Sequence, residues 1–309
     1  MSANASLNRS AALASISVAL LLVGLKVWAV FTTGSTAMLG SLADTALDLV
    51  ASLATLAGVW VAAQPDDENH RFGHGKAEAL AAMFQVVLIS ISAISLAFRA
   101  VDQWIAGARP QEAEGGIVVS MIAMAATLGL LAWQRYVIRK TKSLAISTDH
   151  VHYQSDLFLN LAVIAALALD QYAGIAGADP FFGLAIALWL GRGAWGASQQ
   201  AIEQLMDHEW PEERRQAFLE VVARHPEIKG LHDLRTRTSG DRDFVQFHLA
   251  INGEMTVRQA HVVMDEVEAI LKKEFPGVEI LIHPDPEGHV DPTDMSSEDL
   301  LAGARGSAS

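Results

Sequence analysis

Four side chains in two apolar stretches carry the plainest chemistry in this sequence. Asp44 and Asp48 stand four residues apart, and His152 and Asp156 repeat the same spacing. In a helix, positions i and i+4 share a face about one turn apart, so each pair presents two ligands in one direction. Two such rods meeting face to face bring together one imidazole and three carboxylates. Four N and O ligands on two rigid helices suit the tetrahedral geometry that zinc prefers. Ser41, Thr45, Ser52 and Thr55 extend the first polar stripe, and Asp149 and Asn160 extend the second. Adhesion between membrane helices ordinarily uses Ser, Thr or Asn, whereas three carboxylates repel one another without a cation. A proton relay that binds no metal is the other use open to such a cluster.

Two further groups have ligand character. Asp67, His70 and His74 fall in the polar run Pro65–Lys76 and could close a loop-borne site, or belong to an ordinary solvated loop. Nearer the C-terminus come His232, His248, His261, His283 and Asp285. Val245, Phe247, Leu249 and Ile251 alternate as one face of a strand, which places His248 on the other face; His283 alternates likewise with Val278, Ile280 and Ile282. Four histidines and one aspartate suit one or two divalent metals, with Asp285 able to bridge them. Surface histidines of no function are the plain alternative. The chain has no cysteine, so any transition-metal site must use His, Asp and Glu.

The elements that hold these residues follow from composition. The chain has 309 residues, 51% hydrophobic and 18% charged, with a mean hydropathy of +0.27; soluble domains usually carry about a quarter charged residues. A helix needs about 20 mostly apolar residues to cross the hydrocarbon core, and six stretches fit: 11–31, 38–63, 80–105, 116–139, 149–170 and 180–205. The first is too long for a cleaved leader and lacks its basic start; Lys26 within it is expected to snorkel toward an interface. Arg71, Lys76, Arg135, Arg139, Lys140 and Lys142 lie in the loops of one side. The opposite loops hold Arg109 beside Glu112 and Glu114, with Asp170 and Asp179 in the last. The positive-inside rule then puts both termini in the cytoplasm of a multi-pass plasma (inner) membrane protein. A net charge of −13 speaks against nucleic acid as a partner.

Beyond about Asp207 the composition is that of a soluble domain. A helix over 211–224, strands near 228–237, 244–251 and 278–283, and a helix over 256–275 give the order αββαβ, a small two-layer ferredoxin-like domain. The expected organisation is a six-helix membrane domain (1–206), a cytoplasmic metal-binding domain (207–290) and a disordered tail (291–309), rich in Ser, Gly, Asp and Glu.

The DxxxD at Asp44–Asp48, the HxxxD at His152–Asp156, the run FGHGKAE at Phe72–Glu78 and HDLRTR at His232–Arg237 resemble the cation diffusion facilitators, closest to their bacterial zinc and ferrous-iron efflux branch. The resemblance extends from about Arg9 to Asp285. It implies three metal sites: a transport site of Asp44, Asp48, His152 and Asp156, a loop site of Asp67, His70 and His74, and a binuclear tail site of His232, His248, His261, His283 and Asp285. It also implies a homodimer associating through its tail domains, with salt bridges from Lys76 to Asp207 near the membrane face. Pro284 offers no side-chain ligand between His283 and Asp285. Within this family, His at the position of His152 goes with zinc and cadmium, and Asp with manganese.

The expected activity is zinc export in exchange for protons, with cadmium, iron(II) and cobalt as further substrates, zinc also as a regulatory ion, and no cofactor. Metal needs neutral His and ionised carboxylates, so it competes with protons, and protonation of His152 on the outer side would expel it. A passive metal channel and a metal-sensing receptor are the rival readings. A metalloprotease is disfavoured, since His208-Glu209 runs into Trp210-Pro211 rather than completing HExxH.

Overall fold

The computed structural model describes residues 3–33, 36–106, 117–173, 178–289 and 299–301. It forms two compact units, Met1–Ile202 and Glu203–Ser309. The first contains α1 (Ala3–Thr33), α2 (Thr36–Ala62), α3 (Ala77–Ala106), α4 (Ile117–Thr141), α5 (Leu144–Ala173) and most of α6 (Ala178–Leu205). Four of these hold spans long and apolar enough to cross a membrane: Asn4–Phe31, Asp44–Ala62, Ala77–Ala106 and Met121–Thr141. The six expected spans thus correspond to six long helices, of which four qualify by length and composition among the described residues. In α5, Asp149, His152, Asp156 and Asn160 interrupt the apolar run.

This unit is inverted relative to a soluble domain. Ser15, Thr45, Ser52, Thr55, Gln85, Gln134, Asp149 and His152 are buried, while Trp28, Phe31, Phe98, Ile105 and Leu188 stand outward. Large apolar side chains left facing outward in such numbers call for an apolar surrounding. Small residues let the helices approach: a Cβ added at Gly58 would collide with the Cβ of Ala81 and come within 3.1 Å of the Ala77 carbonyl. Such small-residue contacts are the usual means of close packing in membranes. Arg109, Glu112 and Glu114, on which the orientation reading partly rests, lie outside the described residues.

The second unit runs α7 (Glu212–Val222), β1 (Gly230–Ser239), β2 (Arg242–Ile251), α8 (Val257–Glu274) and β3 (Val278–Pro286), the expected αββαβ order. β1 and β2 pair antiparallel across a turn at Gly240, whose φ of 63° favours glycine. β2 and β3 pair parallel, which requires the crossover that α8 supplies. Phe218, Phe247, Leu249, Val267 and Leu271 fill the core between helices and sheet. Thr256 and Gln259 form a capping box that starts α8.

Within the tail after His289, the described residues Asp299–Leu301 lie against β1. The Leu231 N–H donates to Asp299 Oδ1 at 3.1 Å, the Leu300 N–H donates to the Leu231 carbonyl at 2.9 Å, and Leu301 is fully buried in the core. The apolar pair Leu300-Leu301 covers an edge strand, a contact that overall tail composition conceals. Residues 290–298 and 302–309 lie outside the described residues.

Candidate metal centres

Asp48 on α2 and His152 and Asp156 on α5 offer ligand atoms that all lie within 4.8 Å of one another. His152 Nε2 is 2.9 Å from Asp48 Oδ1. The opposite ring nitrogen, Nδ1, is buried with no hydrogen-bond partner. The ring packs edge-on against Tyr153, at 5.9 Å between centroids. The Tyr153 hydroxyl donates to the Ser15 carbonyl at 3.1 Å and meets the Ser52 hydroxyl at 2.9 Å, tying the ligand-bearing turn of α5 to α1 and α2. Asp44 is not brought into this group: it stands one turn nearer the start of α2 and is exposed. The Asn160 amide turns back to its own helix and donates to the Asp156 carbonyl at 2.8 Å.

Next to this group lies a polar hub centred on Asp149, one turn before His152 on α5. Asp149 is fully buried and accepts from the Ser15 hydroxyl at 2.6 Å, Gln85 Nε2 at 3.0 Å and Gln134 Nε2 at 2.8 Å. Those donors come from α1, α3 and α4, so one carboxylate joins four helices. Gln85 also donates to the Thr55 hydroxyl. The signal that could have found the hub was present: Gln85 and Gln134 are isolated amides within otherwise apolar spans. Lys26 departs from its expected snorkelling, because its Nζ donates to Thr45 Oγ1 on α2 at 2.5 Å.

The loop between α2 and α3 gathers Asp67, His70 and His74. Asp67 Oδ1 accepts the backbone N–H groups of Asn69 at 2.9 Å and His70 at 2.7 Å. His70 Nδ1 lies 3.2 Å from the same oxygen, and His74 Nε2 lies 3.4 Å from Oδ2. The two rings stack obliquely at 4.5 Å. Gly73, at φ 79°, makes the turn that returns His74 toward Asp67. The His70 backbone N–H, chief among these donors, holds the Asp67 carboxyl below its ordinary pKa.

In the second unit, strand register does the gathering. His232, His248 and His283 are direct neighbours across β1, β2 and β3. Asp285, buried at the end of this row, sits among them: Oδ2 is 2.9 Å from His248 Nδ1 and 3.3 Å from His232 Nε2, and Oδ1 is 3.3 Å from His283 Nε2. The bridging geometry expected of Asp285 is therefore available. His232, His248 and Asp285 form the tight group, with His283 more exposed at its rim. His261 is not gathered; it is exposed on α8 and faces Asp265 at 3.8 Å. The reason is the layer order. α8 applies Ala260, Val263, Val267 and Leu271 to the apolar core, while the histidines alternate to the opposite face of the sheet. Asp233 adds a carboxylate 3.9 Å from His248 Nε2 and holds a left-handed backbone at φ 48°.

A helical unit with metal-ligating residue types inside an apolar exterior, followed by a small αββαβ unit with its own ligand row, describes a protein of apolar surroundings with groups suited to metal ions. Residues 12–206 match the cation efflux transmembrane domain, and residues 210–287 match the cytoplasmic domain of cation efflux proteins. The chain belongs to the cation efflux family, the cation diffusion facilitators, a family of transporters rather than enzymes. Its relatives include the cation-efflux pump FieF of Cronobacter sakazakii, 42% identical over 89% of this chain and 92% of that protein. FieF of Serratia proteamaculans is also 42% identical, over 91% of this chain and 94% of that protein. Among solved structures, the zinc form of CzrB is 40% identical and covers 28% of this chain and 98% of its own, with a TM-score of 0.25. The metal-bound C-terminal domain of the CzcD transporter from Thermotoga maritima is 25% identical, covering 26% and 99%, also with a TM-score of 0.25.

Proposed function

We propose that this cation efflux protein exports zinc from the cytoplasm in exchange for protons. The observation that carries the reading is the 2.9 Å contact between His152 Nε2 and Asp48 Oδ1. Both atoms are the ones a metal would take, and a hydrogen bond between them requires a proton in the same place. Metal at these atoms must move that proton off the shared position, either out of the site or to Nδ1, and its return to Nε2 must weaken the hold on the metal. One imidazole with carboxylates favours zinc over the hard ions that all-oxygen sites suit. Cadmium, iron(II) and cobalt remain substrates of the same chemistry.

In this reading all six long helices cross the inner membrane with both termini in the cytoplasm, and the αββαβ unit has the ferredoxin-like arrangement. Asp44 joins Asp48, His152 and Asp156 when the helices close on the ion. The loop trio and the tail ligands His232, His248, His283 and Asp285 sense cytoplasmic metal and favour a homodimer of tail domains, with Lys76 and Asp207 pairing near the membrane face. Within its own unit Asp207 meets Arg237 at 3.5 Å.

Zinc uptake into proteoliposomes tests the reading. Asp48→Ala is expected to abolish metal-dependent flux while the purified protein keeps its size and helical content. Undiminished flux would refute the assignment of the transport site.

A further inference from the structure

Lys26 has no place in the exchange just described, yet its position is costly. It lies within the apolar span Asn4–Phe31 of α1, and an ammonium within a span is expensive unless paired or led out to water. Here it is turned inward, onto the hydroxyl of Thr45 at 2.5 Å. Thr45 is 1% exposed and stands three residues before Asp48, on the same face of α2, so the ammonium approaches the side from which α2 presents Asp48. It is also within Coulombic reach of Asp156 on α5. A neutral hydroxyl does not offset the desolvation of a full positive charge; nearby carboxylates do.

We propose that Lys26 is a fixed counter-charge of the transport site. Asp44, Asp48 and Asp156 carry three negative charges when ionised, and the Lys26 ammonium reduces the total to two, the charge one divalent cation cancels. The loaded site is then neutral within the membrane, where net charge is expensive. The same ammonium repels the bound metal and so limits how tightly it is held, which favours release. Lys26 thus acts on the ion through charge rather than as a ligand, with Thr45 as the acceptor that anchors it. The proposal rests on zinc transport through the proposed closed site, in which Asp44 joins Asp48, His152 and Asp156.

Zinc uptake by the full chain in proteoliposomes, with an external pH of 8, separates the possibilities. Lys26→Met keeps the length of the side chain and removes its charge. It is expected to lower the apparent KM for zinc about tenfold, as loss of a nearby like charge implies, and to lower the maximal rate as release slows. Lys26→Arg keeps the charge and is expected to restore both parameters. Thr45→Val, which releases the ammonium without removing it, is expected to lower KM in the same direction by less, and it stands as the test should Lys26→Met fail to fold. An unchanged KM in the folded variants, or an equal loss of rate in Lys26→Met and Lys26→Arg with KM unmoved, overturns the proposal and leaves zinc transport intact. Absence of zinc uptake by the unaltered chain would refute the transport reading itself.

Discussion

His152 presents Nε2 to Asp48 and leaves Nδ1 buried without a partner, so the ring is held by packing against Tyr153 more than by hydrogen bonds. Its chemistry is therefore set by the ligand type. His152→Asp is expected to lower the preference for zinc over manganese, since an all-carboxylate site is harder; competition between the two metals during uptake measures it. Asp149 acts differently. It meets three donors from three other helices, and Asp149→Ala would leave Ser15, Gln85 and Gln134 without their shared acceptor. A loss of about 1–3 kcal/mol in stability is expected, read from thermal unfolding in detergent. At this scale the sequence showed the DxxxD and HxxxD pairs through spacing alone. It did not show that Asp44 would stand outside the group or that Lys26 would turn inward, because both depend on which neighbouring helix a side chain meets.

At the scale of elements, the six expected stretches correspond to six long helices, four of them apolar enough to cross a membrane among the described residues. α1 starts at Ala3 rather than near residue 11, because small and polar residues there remain compatible with a helix that packs only partly. Alternation in β2 and β3 foretold the exposed side of His248 and His283, and the register then aligned them with His232. His261 was not legible in this way: helical periodicity identifies the buried stripe of α8 but not the sheet face that stripe covers. Gly58 offers a test of packing. Gly58→Ala is expected to push α2 from α3 and lower both stability and zinc flux, since α2 carries Asp48; unfolding and uptake assays check each. The α2–α3 loop offers a test by pH. Folding lowers the Asp67 pKa from its ordinary 3.8, so this carboxylate contributes stability in full above that value and loses it as pH falls through the lower, folded value. The side-chain carboxyl carbon shift of Asp67 is expected to show its titration step below 3.8, and a step at or above that value would contradict the assignment.

At the scale of the molecule, each of the two units carries its own ligand groups. The tail unit has a conventional core, and its ligand row lies on the face opposite that core. Metal bound there stabilises the fold by mass action, by about 2.7 kcal/mol at a hundredfold excess over Kd. Zinc is expected to raise the unfolding temperature of the tail unit, chelation to reverse the rise, and Asp285→Ala to remove it. The helical unit has instead an apolar exterior and a polar interior, and in the proposed function each ion bound there exchanges with protons. That exchange is the central claim, and one measurement reaches it directly. Proteoliposomes with an acidic lumen and equal zinc on both sides are predicted to accumulate zinc inside, and to lose the gain when the pH gradient is collapsed. Zinc that remains at equal concentration across the membrane despite the gradient would contradict the account.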